Sequence, residues 1–172
     1  MINNYALAPN QHTEALPQYH TEIVFFKFEE DFVEDNIRCI PMIVRFKLDA
    51  CGIKLKLQQW AMMNDAEKET LSFMPCATPL QVAFFRQTVV ALIAAQDGGS
   101  AVTLPVEAFP AWANLRRLPQ ELVVKLEALE LTLSLQQWQQ LTNLQRFVLL
   151  KLCRPGHENR NFPIAFKEFG LA

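Results

Sequence analysis

The chain has 172 residues, of which 51% are hydrophobic and 20% charged, and 16 Lys and Arg against 18 Asp and Glu leave a net charge of −2. With a mean hydropathy of +0.06, it is too apolar for a disordered chain and long enough to bury a core without disulfides or metals. The slight acidic excess argues against a nucleic-acid partner, which calls for a basic stripe. A membrane partner is not expected either: the most apolar run, Leu80 to Ala95, is broken by Gln81, Arg86, Gln87 and Thr88, short of the roughly 20 residues of a span.

Residues 1–22 carry Asn, Gln, His, Thr and Pro, with no basic start and no apolar stretch of a secretory signal. They are expected to form a flexible tail on a cytoplasmic protein. In that reducing compartment Cys39, Cys51, Cys76 and Cys153 are expected as free thiols. A helical domain then fills residues 23–172. Its first aromatic segment, Ile23 to Phe28, is open between an extended strand and a helical turn, because Phe25, Phe28 and Phe32 sit at i, i+3 and i+7.

From Pro41 onward the punctuation is helical, and the first half covers about 37–97. Pro41 suits a first helical position and Gly52 the left-handed residue that ends the helix between them. Asn64 stands three residues before Glu67, the spacing of a capping box, and opens a helix that Pro75 closes. Thr78, Pro79 and Gln81 repeat the device for a helix running to about Gln96. Residues 98–118 form a connector with one short turn around Trp112. The second half, about 119–170, opens on Pro119, again read as a first helical residue.

The halves share a pattern. Lys47 to Trp60 aligns with Lys125 to Trp138 over KLDACGIKLKLQQW and KLEALELTLSLQQW. Asn64 meets Thr142 and Glu67 meets Gln145 without a gap, so the capping boxes fall at equal offsets. The fold class expected is all-α: one compact helical domain of two related halves, an internal duplication. Trp60 and Trp138 are its expected core residues, each costing about 3–5 kcal/mol if cut to Ala.

Chemistry-bearing motifs are sparse. No C-x-x-C pair, no G-x-S-x-G and no Gly-rich phosphate loop occurs. A metal site would have to be assembled from distant residues, with Cys39, Cys51, Cys76 and His157 as the set; buried thiols are the plainer reading, and neither metal nor cofactor is expected. His157, beside Glu158, is the one general-base candidate outside the tail. Arg116-Arg117 after Trp112 could take an anion but reads as a solvated pair. The densest polar stretch, His157-Glu158-Asn159-Arg160-Asn161, follows a Pro-Gly break and precedes an apolar helix. It serves equally as a helix cap or as a recognition loop for a partner.

Several blocks carry a family likeness: Phe26-Lys27-Phe28-Glu29, the run Arg38-Cys39-Ile40-Pro41-Met42-Ile43-Val44-Arg45-Phe46-Lys47-Leu48-Asp49, Pro75-Cys76, His157 to Phe162, and Lys167-Glu168-Phe169-Gly170. Through them the chain resembles the nitrate reductase-associated proteins, small bacterial proteins linked with molybdenum-dependent nitrate assimilation, over roughly residues 25–171. The resemblance implies a non-enzymatic accessory factor needed for nitrate reductase activity, in maturation, cofactor loading or electron delivery. Its partner would be the reductase or its maturation and electron-transfer machinery. No catalytic residue follows from the resemblance. The alternative is an enzyme or metal carrier using Cys39, Cys51, Cys76 and His157.

Overall fold

The computed structural model describes residues 22, 24–29, 39–96, 98–154 and 160–172. The expected tail (save Glu22), Arg38 and residues 155–159 lie outside them. Among the described residues the chain is all-α, with eight α-helices and one two-stranded sheet. In the first half α1 is Met42–Cys51, α2 Leu57–Met62, α3 Asp65–Phe73 and α4 Pro79–Ala94. In the second, α5 is Gln120–Ala128, α6 Leu135–Gln140, α7 Asn143–Cys153 and α8 Phe162–Glu168.

The helix boundaries follow the caps read from the sequence. Asn64, Thr78, Ser134 and Thr142 each accept from the backbone N–H three residues on, and Glu67, Gln81, Gln137 and Gln145 reach back to the cap's own N–H. Lys56, before α2, has no side-chain acceptor, so only the reverse half forms, with its N–H donating to Gln59 Oε1 at 2.9 Å. Pro41 and Pro119 sit one residue earlier than expected, as N-caps. An extended ψ suits them there, and their carbonyls still accept from Arg45 and Val123. Gly52 ends α1 at φ +65°.

The aromatic segment takes the helical of its two alternatives, as a 3-10 turn at Lys27–Glu29. One element differs from the sequence reading: Ile53–Lys54 (β1) pairs antiparallel with Val102–Thr103 (β2) of the connector. The alternation of Ile53, Lys54 and Leu55, buried, exposed and buried, is the period-two signal of a strand. The connector can lie this close because residue 52 has no side chain: a Cβ there would stand 2.6 Å from Leu104 O. The turn at Ala111–Ala113 forms as expected around Trp112.

Met42 and Gln120, Leu57 and Leu135, and Asp65 and Asn143 open helices 78 residues apart. Glu130, with φ +54°, matches Gly52 at the same spacing. Burial departs from this regularity, since Phe147 and Val148 of α7 are buried whereas Glu69 and Thr70 of α3 are exposed. Trp60 and Trp138 are both fully buried. The halves meet where Phe46 of α1 packs on Trp112 (ring centroids 5.3 Å apart) and Phe147 (5.1 Å).

Two arginines, Arg146 buried and Arg86 half-buried, fix this frame. Arg146 of α7 donates from Nε to Trp112 O (2.9 Å), from Nη1 to Trp138 O (3.3 Å) and Leu141 O, and from Nη2 to Asn143 Oδ1. Arg86 of α4 donates to Cys51 O at 2.6 Å and Gly52 O at 3.3 Å, and to Thr103 Oγ1. Each guanidinium satisfies carbonyls that a helix end or the connector leaves open. Arg146→Met is expected to lower unfolding free energy by at least about 3 kcal/mol, because it strands buried acceptors, with Arg146→Lys recovering only part for want of the planar fork. Urea unfolding followed by tryptophan fluorescence measures both, and equal stability of the three proteins would refute the assignment.

Candidate functional site

Three places were marked by the sequence or emerge from the structure: the 157–161 corner, the cysteines, and a cleft between the halves.

At the corner, Asn161 and Arg160 precede α8. Arg160 is exposed, with no side-chain hydrogen bond or ion pair among the described residues. Asn161 is the N-cap of α8 but makes no side-chain cap bond, so its amide is not spent on the helix. His157, Glu158 and Asn159 lie outside the described residues. Behind them α8 is firmly seated: Phe162, Ala165 and Phe166 are buried, and Lys125 Nζ stands 5.6 Å above the Phe162 ring. Glu168, closing α8, accepts from the N–H groups of Lys27 (2.8 Å) and Phe28 (3.1 Å). Glu29 in the same turn is buried and accepts from Met42 N at 2.7 Å, capping α1 from 13 residues away. Burial pushes the Glu29 carboxyl up; the backbone donors and Arg45 pull it the other way.

Cys39, Cys51, Cys76 and Cys153 are free thiols, and no group of three potential metal ligands occurs among the described residues; His157 is outside them. Burial raises Cys51 to about 11 and Cys76 and Cys153 to about 12, so these sulfurs are protonated at neutral pH and are poor nucleophiles and ligands. Near Cys51 and Cys76 lies Lys47, buried on α1, whose ammonium caps the C-terminal end of α3 by donating to Ser72 O (2.6 Å) and Leu71 O (3.3 Å).

The cleft was not anticipated. It has a volume of about 470 Å³, within the usual range of small-ligand sites. Trp112, Phe147 and Leu150 give it apolar walls, and Asp49, Glu107, Glu121, Lys151 and Arg154 its charged ones. Lys151 Nζ bonds Asp49 Oδ2 at 2.8 Å and stands 5.0 Å above the Phe147 ring. Three carboxylates against two cations favour a basic or zwitterionic group over an anion. Its sequence signal was faint: a Trp after Pro110 in a connector, with Asp49 63 residues before it and Lys151 39 after it.

Among the described residues every buried side-chain nitrogen and oxygen has a hydrogen-bond partner. The chain belongs to the conserved nitrate reductase-associated proteins: that family's model matches residues 25–169. No curated protein and no solved structure matches the chain significantly. Among the described residues, no helix is long and apolar enough to cross a membrane.

Lys47 carries a prediction. Burial lowers its pKa from 10.5 to about 8, against an opposing pull from Cys76. Between pH 8 and 10.5 the unfolded chain keeps a proton that the folded chain has lost, so this group's contribution to stability rises with pH across that window. The difference in unfolding free energy between the wild type and Lys47→Met is expected to grow in favour of the wild type from pH 8 to 10.5. A difference that stays flat would show that Lys47 titrates normally.

Proposed function

We propose that this chain is a non-enzymatic accessory factor of assimilatory molybdenum nitrate reductase, acting in the cytoplasm by direct contact with the reductase or its maturation or electron-transfer machinery. The family match over residues 25–169 carries the reading. The geometry supports it in two ways. Arg160 stands exposed at the start of α8, free to form bidentate bonds to a carboxylate, and Asn161 beside it makes no cap bond. The element behind them is locked to the core by Phe162 and Phe166, which keeps such a surface preorganised. His157, Glu158 and Asn159 complete the proposed contact.

The cleft bears on which step is assisted. A phosphate-bearing pterin cofactor is anionic, and with Lys151 and Asp49 paired to each other the cleft keeps two carboxylates, Glu107 and Glu121, against Arg154, a net negative lining that disfavours it. Assistance by contact with a protein is therefore favoured over carriage of the cofactor in this cleft.

The Arg160→Ala, Asn161→Ala double variant is expected to keep its melting temperature within about 2 °C, as surface substitutions do, and to lose at least tenfold in affinity for reductase purified from nitrate-grown cells. Calorimetry and reductase activation assays measure this. A folded variant that binds and activates normally would remove the corner from the contact surface.

A further inference from the structure

The cleft lies under an arch of the connector whose two feet are pinned. Leu104 N donates to Gly52 O at 2.9 Å, and Trp112 O accepts from Arg146 Nε at 2.9 Å. Pro105 and Pro110 stand just inside those feet, where each fixes its own φ and restricts the residue before it. The span between them leaves a cavity of about 470 Å³ against α1 and α7. Its apolar floor is in place before any ligand arrives: Trp112, Phe147 and Leu150 are buried, and the Phe46 ring packs against both aromatic rings.

Five charged side chains line this cavity, and two of them are spent on each other, Lys151 and Asp49. The other three are Glu107 on the arch, Glu121 in the first turn of α5 and Arg154 at the end of α7. All three are exposed and make no ion pair or side-chain hydrogen bond among the described residues. None stands within four residues of another, so no pairing along one helix accounts for them.

The unspent set is two carboxylates and one guanidinium beside an apolar floor. Its complement is a molecule with two cationic groups, one carboxylate and an aliphatic stem. That is the constitution of an α-amino acid with a basic side chain, whose single net positive charge balances the single net negative charge of Glu107, Glu121 and Arg154. The stem packs on the apolar wall as lysine and arginine stems do, and Arg154 offers its fork to the carboxylate. A basic residue inside a peptide lacks both the α-ammonium and the carboxylate, so the charge match selects the free amino acid.

We propose that the cleft binds a free basic α-amino acid, with Glu107 and Glu121 holding its two cationic groups and Arg154 its carboxylate. This inference does not depend on the reductase reading.

Isothermal titration calorimetry of the full chain is expected to show saturable binding of L-arginine or L-lysine with Kd below about 1 mM. L-Glutamate is expected not to bind. Agmatine, which is arginine without its carboxylate, and acetyl-L-arginine amide, the side chain as a peptide presents it, are each expected to bind at least about tenfold more weakly than L-arginine, the scale of one lost charged hydrogen bond. Glu107→Gln and Glu121→Gln are each expected to weaken L-arginine at least about tenfold, and Arg154→Gln to reduce it to the affinity of agmatine. All three positions are exposed, so circular dichroism and melting temperature are expected to stay those of the wild type. The analogue series uses the wild type alone and decides the matter even if a variant fails to fold. Absence of saturable binding by either amino acid up to about 10 mM overturns the proposal. So does L-glutamate or agmatine binding as tightly as L-arginine, or binding that survives all three substitutions. Acetyl-L-arginine amide binding as tightly as L-arginine would assign the cleft to a basic side chain of a protein and equally overturn it.

Discussion

The guanidinium of Arg146 ties the connector to the second half, and through Trp112 the connector meets Phe46 of α1. Its donors reach the connector at Trp112 O, the last turns of α6 at Trp138 O and Leu141 O, and the first residue of α7 at Asn143 Oδ1. Its carbon lies 5.8 Å from the Trp138 ring. Taking an arginine out of water is costly, and burial lowers its pKa; carbonyls on several sides make that position tenable. The same acceptors would otherwise be buried without donors. Arg146 thereby turns three separate chain ends into one corner. Trp112, held by it, becomes a surface for Phe46, whose ring in turn meets Phe147.

Lys47 and Arg86 follow the same logic at other helix ends. Lys47 closes α3 and Arg86 closes α1. Helix C-termini carry partial negative charge and unpaired carbonyls, so a cation there is attracted without needing a carboxylate. Short helices of six to eleven residues have proportionally many open ends, and this chain meets that demand with long basic side chains from neighbouring elements. The surface ion pair of Lys151 with Asp49 contributes far less, as exposed pairs do.

The all-α class and most helix boundaries were legible because caps are local: Asn64 with Glu67 or Thr142 with Gln145 needs only three residues of sequence. Trp60 and Trp138 were legible as core from their matched places at the end of the repeated pattern, although glutamines flank both. The pairing of Ile53–Lys54 with Val102–Thr103 was not, since it joins strands of two residues across 48 positions. The partners of Arg146 and Lys47 were equally hidden; a lysine in sequence looks solvated until the fold buries it. The cleft needs α1, the connector and α7 together, so no single motif announces it. The core side of α4, with Phe85, Val89 and Ile93, was veiled for the opposite reason. Apolar residues occur all round that helix, and hydropathy alone does not say which side the core takes.

The turn at Lys27–Glu29 holds a consequence for synthesis. Met42 N, the first free donor of α1, is satisfied by Glu29, and the turn that presents Glu29 is itself held by Glu168. During translation α1 can coil and α2 to α4 can assemble on it, but this latch closes only when residue 168 has left the ribosome. One of the earliest structured segments to emerge is thus among the last to be fastened. Any truncation that removes α8 takes away the two bonds by which Glu168 holds the turn in front of α1, about 120 residues away from the cut.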